Sequence, residues 1–450
     1  MIQIKRIWPL LAIACCVLAD TDEDSMEGMG DRVEFHPINA GSKTFHWICS
    51  LALLLVLPSV SSVLAFADRL HWSLVFQFVS TAYSVFESLF LDFPDNNNHE
   101  NRTSKGTSWF LSILFGATVF IGSLINGSNM VINKFYPHLG SKSLTGWSYK
   151  AYKALSVLVV LTGWVRVCMA PVALFGFCYG KHTGQCIAHG IMGLAFVGYS
   201  FVLSLVLVIP WIRKHHLVDN SNPNVKSQEF YDSFLMCIWG IVNTFTEHRW
   251  GTEDWSMGDY QHTAMGIIWW AGGLLGIFLA RKRNRTFIPA LLLIFTGWSM
   301  SQHVQHLQIS TKVHGVFGIA LMAAGVSRII EILMLLKDAP CSENGNILAF
   351  QYLPPFCLTL SGIMFMAANE EQLILVSQLG SDHSAYVLVV SAAAFTIYLW
   401  LLLLLTFYLK LVGYDFDGRL GFESDYDQVG SNVAEEFELG DLSDEEREQS

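Results

Sequence analysis

Charge is scarce in this chain. Of its 450 residues only 14% are charged while 52% are hydrophobic, with a mean hydropathy of +0.41, a balance too apolar for an ordinary soluble protein of this length. Basic residues come only in short runs, which give nucleic acid no electrostatic footprint. The nine cysteines form no Cys-x-x-Cys pair, so the common thiolate metal signatures are missing. There is no glycine-rich phosphate loop and no nucleophile elbow, which removes the familiar soluble-enzyme motifs. Nor does a repeated 3+3 inverted pattern stand out to mark a secondary transporter.

What the chain has instead is a succession of apolar runs, so its solvent is the lipid bilayer. The fold class expected is all-α, a polytopic transmembrane helix bundle of about 11 spans after an N-terminal signal peptide. Lys5 and Arg6 precede an apolar stretch from Ile7 to Leu18, and Val17-Leu18-Ala19 offers a small-residue cleavage site before the acidic segment from Asp20. Residues 1–19 are therefore read as the signal peptide, with retention as a short anchor as the rival reading, and 20–45 as a luminal segment. The spans run from His46 to Ala67, Trp72 to Leu91, Ser108 to Ile125, Ala151 to Phe177, Ile187 to Trp211, Phe230 to Thr246, Gln261 to Ala280, Phe287 to Met300, Thr311 to Leu336, Phe350 to Ala368 and His383 to Val412. Phe287 to Met300 is short of a full crossing. Residues 46–226 form an N-terminal membrane module of about five helices and 227–412 a C-terminal module of about six.

Loop charge orients the bundle. With the mature N-terminus outside, Lys134, Lys142, Lys150 and Lys153, then Arg213 and Lys214, then Arg281, Lys282, Arg283 and Arg285 all fall in the cytosol, as the positive-inside rule requires. The chain is thus expected in the membrane of a secretory compartment, whether endoplasmic reticulum, Golgi, vacuole or plasma membrane. Asn101-Arg102-Thr103 then lies in a luminal loop, which makes Asn101 the glycosylation candidate, while the sequons at Asn126 and Asn284 stay bare. The thirteen acidic residues and two arginines of 413–450 account for the whole net charge of −11. This tail reads as disordered and cytosolic. Ser431 and Ser443, each near acidic residues, suit an acid-directed kinase, and EEFELGDL could dock a cytosolic partner.

The polar residues inside the spans carry the functional reading. The pattern His-x-x-Met/Phe-Gly recurs from His189, His262 and His314, setting an imidazole and a side-chain gap one helical turn apart. On the topology above, His46, His182, His189, His248, His262, His303, His306, His314 and His383 all fall at or near luminal helix ends, whereas His71, His138, His215 and His216 are cytosolic. Glu247, Asp254, Asp259, Glu370, Glu371 and Asp382 share the luminal layer. Three chemistries use such a layer. A b-type haem takes two imidazoles from facing helices, with small residues such as Gly193, Gly266 and Gly318 where the ring approaches. Zinc or copper takes three or four converging His or carboxylate ligands, for which His248, His303 and His306 are candidates. A pH sensor needs only titrating histidines. Against all three stands a plainer reading, in which interfacial histidines cap helices and the glycines serve helix packing. Cys178 and Cys186 flank a short luminal loop and are candidates for a disulfide. Cys49, Cys168, Cys237 and Cys357 lie within apolar runs as small core residues. Glu87 and Arg166 are isolated intramembrane charges, and Arg328 stands three residues before Glu331 on one helix face.

HWICSLALLLVLP from His46 and HWSLVFQF from His71 resemble the opening helices of membrane di-haem b-type cytochromes, and the HTAMG and HGVFG runs resemble that superfamily more loosely. More closely, the chain is similar nearly end to end to the fungal Ytp-type family of integral membrane proteins, on the strength of EHRWG from Glu247, DYQHTAMGIIWW from Asp259 and HGVFGIALMAAG from His314. That family implies architecture. The cytochrome resemblance implies haem b as cofactor, with His46, His71, His189, His262 and His314 as ligand candidates and His46 with His189 as a luminal pair. On the cytosolic side His71 finds only His138, well ahead of the next span, so the pattern favours one luminal site, or none, over two stacked haems.

Overall fold

The structure is a computed structural model that describes residues 40–92, 102–135, 146–178, 183–212, 226–246, 248, 254–281, 284–302, 307–335 and 347–414. The expected signal peptide, Asn101, His182, Glu247, His303, His306 and all but the first two residues of the acidic tail lie outside them.

The elements among the described residues are all helical. In chain order they are α1 (Ala40–Ser50), a π turn (Leu51–Val56) running on into α2 (Leu57–Phe66), α3 (Leu70–Phe90), α4 (Arg102–Phe135), α5 (Gly146–Phe175), α6 (Thr183–Val208), α7 (Gln228–Thr246), α8 (Met257–Ala280), α9 (Ile288–Ser301), α10 (Gln308–Ile330), α11 (Leu353–Met366), α12 (Glu370–Gln378) and α13 (His383–Leu411). A second π turn (Glu331–Leu335) extends α10, and a 3-10 turn (Ala349–Tyr352) leads into α11. Each expected span contains a helix. The short α12 between α11 and α13 is an addition that hydropathy did not signal.

Among the described residues, eight helices are long and apolar enough to cross a membrane, fewer than the eleven expected spans. The three that fall short are α3, α7 and α9. The first two owe this to an inverted pattern. On α3 the buried face is Ser73, Gln77, Ser80, Ser84 and Glu87, spaced by three and four residues, with Ser88 beside Glu87, while Trp72, Phe78, Phe86 and Phe90 are exposed. On α7 the buried face carries Glu229, Asp232, Ser233, Gly240 and Thr244, with Tyr231, Phe234, Leu235 and Phe245 outward. Polar residues turned inward and large apolar ones outward is the order a lipid solvent imposes. The 14 residues of α9 are short of a full crossing.

Contacts group the chain into two units: residues 1–194, 304–314 and 363–392 in the first, and 195–303, 315–362 and 393–450 in the second. In the first unit the α3 polar face is met by serines. Ser84 Oγ lies 2.8 Å from Ser112 Oγ, Ser88 Oγ lies 2.9 Å from Ser108 Oγ and 2.7 Å from Ser112 Oγ, and Ser73 Oγ lies 2.7 Å from the Tyr152 hydroxyl. Gly163 of α5 packs directly on the carbonyl of Leu54 in the π turn. In the second unit α7 and α8 meet through small residues, where Gly266 leaves room for Thr244 and Gly273 for Cys237. A Cβ added at Gly266 would stand 2.6 Å from Thr244 Oγ1 and 2.7 Å from its backbone nitrogen.

Candidate functional site

Among the candidate ligands, the structure brings two imidazoles together. His189 of α6 and His314 of α10, both in the first unit, stand with ring centroids 5.8 Å apart and ring planes at 60°. Both are buried, and Phe365 at the end of α11 packs against each, its ring centroid 4.5 Å from that of His189. His314 Nδ1 lies 2.9 Å from the carbonyl oxygen of Ser310, one turn earlier on α10. An Nδ1–H donating there leaves Nε2 as the lone-pair nitrogen, the tautomer that ligating histidines commonly adopt. Each imidazole stands six residues inside the start of its helix.

Next to this pair along the chain is a polar knot that the sequence only half revealed. Cys178 and Cys186 are joined as a disulfide with Cα atoms 5.6 Å apart. The backbone N–H of Cys178 donates to Glu371 Oε2 at 2.5 Å, and Asn369 Nδ2 donates to Cys186 Sγ. Asn369 also caps α12, its Oδ1 accepting from the N–H of Glu371 at 3.0 Å. Cys178, Cys186 and Glu371 bring their ligand atoms within 4.8 Å of one another. With the two sulfurs bonded to each other the group offers no thiolate to a metal.

His46 has a different setting from the expected pairing with His189. Its Nδ1 lies 3.0 Å from the Tyr83 hydroxyl and its Nε2 3.2 Å from Glu87 Oε1. Glu87, wholly buried, is also held by Arg166, whose Nε donates to Oε1 at 3.0 Å while its Nη2 makes a closer bond to the same oxygen. The two isolated charges of the first module are thus an ion pair between α3 and α5, with His46 of α1 as third member. Tyr83 is a partner that the sequence did not single out.

The remaining candidates have local roles. His248 is buried, stacked on Trp255 with centroids 4.1 Å apart, its Nδ1 3.4 Å from Asp259 Oδ2. His262 is half-buried near the start of α8, where its carbonyl accepts from Asn243 Nδ2 at 3.0 Å. His71 and His383 are exposed, the first edge-on to Trp72 and the second at the first position of α13. Beside His383, Asp382 accepts from the N–H of Ala385 at 3.1 Å, which holds its carboxyl below the usual range. The gaps expected for a macrocycle are filled at two of the three motif glycines: Gly266 by Thr244 of α7, and Gly318 by Gly297 and Ser301 of α9. A Cβ on Gly318 would meet Ser301 N at 2.8 Å. Those two glycines serve close packing against neighbouring helices.

A family model described as Protein YTP1-like, C-terminal matches residues 162–409. The chain belongs to this YTP1-like family. It is 53% identical over 414 residues to Protein YTP1 of Saccharomyces cerevisiae, covering 91% of this chain and 87% of that one. It is 28% identical over 258 residues to an uncharacterized membrane protein of Schizosaccharomyces pombe, covering 48% of this chain and 50% of the other. A further uncharacterized membrane protein of Saccharomyces cerevisiae is 28% identical over 171 residues. No solved structure matches. The span matched by the YTP1-like model includes Arg166, His189 and His314, whereas His46 and Glu87 precede it. With apolar side chains outward on its helices and relatives named as membrane proteins, the chain is an integral, all-α membrane protein.

Proposed function

We propose that this YTP1-like protein is a secretory-pathway membrane protein with a redox or metal-handling role, centred on one imidazole pair, His189 and His314. The observation that carries the reading is that two ionisable rings from α6 and α10 are buried face to edge, 5.8 Å apart, with His314 Nδ1 tied to Ser310. Buried imidazole in a lipid-embedded bundle is costly unless it has a task or a partner. Two buried rings at this separation suit a shared metal or a b-type haem iron. His189 and His314 would hold the group, which would supply one-electron transfer. Ser310 fixes the ring orientation of His314, and Phe365 shields both imidazoles from water. The reading places the pair at the luminal face, with the acidic tail in the cytosol. Absorption spectra and metal analysis of detergent-purified full-length protein test it: a Soret band, or one transition metal per chain, is expected, and colourless, metal-free protein overturns it.

The closed gaps at Gly266 and Gly318 favour a second reading, a cofactor-free membrane component whose cytosolic tail recruits partners. On that reading, deleting residues 413–450 changes localisation while His262→Ala and His314→Ala have no effect.

A further inference from the structure

The second unit holds a buried charge cluster that the imidazole reading does not use. Glu229, at the start of α7 and 1% exposed, accepts at Oε1 from Arg285 Nη1 at 2.9 Å and Arg328 Nη2 at 3.1 Å. Arg328 Nη1 donates to Glu331 Oε2 at 2.6 Å, and its Nη2 also reaches Gln228 Oε1 at 3.1 Å. Gln351 Nε2 approaches Glu331 Oε1 at 3.4 Å. Two arginines and two glutamates therefore balance. Asp232, one turn beyond Glu229 on the same buried face, adds a third carboxylate, and no lysine or arginine among the described residues lies within ion-pair distance of it.

The cluster is thus one positive charge short, in a setting where an unbalanced charge is expensive. A second observation says where that charge goes. Among the described residues Glu229 Oε2 is buried without a hydrogen-bond partner, and Glu229, Asp232, Tyr199, Thr286 and Arg328 line a cavity of about 10 Å³, room for about one water-sized occupant. Arg328 is already engaged, which leaves carboxylate and hydroxyl oxygens, a hard donor set that does not suit soft transition metals. The groups facing Asp232 are Glu229 on its own helix, Tyr199 from α6, Thr286 from the segment before α9 and Arg328 from α10, with Arg285 near enough to act on it electrostatically.

We propose that this cavity is a binding site for one monovalent cation, a proton or an alkali ion of about sodium's size, held between Glu229 and Asp232. The site is independent of the His189–His314 pair. The test is thermal unfolding of the detergent-purified full chain, with sodium titrated against choline at constant ionic strength across mildly acid to mildly alkaline pH. A proton gives a melting temperature that falls by a few degrees as pH rises, with no sodium effect. A bound alkali ion gives a melting temperature that sodium raises, more so at higher pH. Asp232→Asn matches the loaded wild type and loses both dependences, while Asp259→Asn, outside the cluster, keeps them. A wild type insensitive to both, an Asp232→Asn protein that keeps the dependence, or one that does not fold overturns the proposal.

Discussion

At the scale of single residues, the charges in the bundle make sense only in pairs. Arg166 and Glu87 are 79 positions apart and look unaccompanied along the chain, yet they meet between α3 and α5 with His46 beside them. Removing one member leaves the other charged and buried, at a cost of about 3–5 kcal/mol. Arg166→Met should therefore strongly destabilise the protein in thermal unfolding, and Glu87→Gln combined with Arg166→Met should recover much of the loss. An unfolding temperature of the single variant equal to wild type would remove this pair from the account. The Arg328–Glu331 pair was legible because the two sit three apart on one helix, a spacing that fixes proximity. Glu229 and Asp232 were not singled out, because their partners come from α6, α10 and the segment before α9, and such cross-helix partners leave no local mark.

At the scale of elements, the hydropathy pattern located the helices well and judged their environment less well. Both α3 and α7 were expected as spans, but their mean hydropathy is lowered by the serines, carboxylates and glutamine of their buried faces. The histidine-glycine motif is the sharper lesson. His189 and His314 do meet, while Gly266 and Gly318 proved to be seats for neighbouring helices. Spacing along a helix states which face a residue occupies, not what occupies the space in front of it. Gly266→Leu should cost at least about 1–3 kcal/mol from overpacking against Thr244. Gly198→Ala, in α6 where nothing lies within 4 Å of an added Cβ, should be neutral or stabilising by up to about 1 kcal/mol through helix propensity. Equal tolerance at both positions in unfolding measurements would contradict the packing assigned to α7 and α8.

At the scale of the whole molecule, composition alone identified a helical membrane protein, because no packing detail is needed to tell a lipid solvent from water. The division into units was not legible: four of its five boundaries fall inside α6, α10, α11 and α13, where an uninterrupted apolar run has no punctuation. Topology remains a charge argument and is tested by glycan mapping. Expressed in a secretory host, Asn101→Gln should abolish an endoglycosidase-sensitive mobility shift, and Asn284→Gln should leave it unchanged. A glycan at Asn284 would invert the assigned orientation.

The central claim, that His189 and His314 jointly hold a functional group, is tested most directly by comparing the bound metal or haem of three purified variants. The account predicts that His189→Ala and His314→Ala each lose the group while His262→Ala retains it at the wild-type level. Retention in both of the first two, with folded protein, would contradict it.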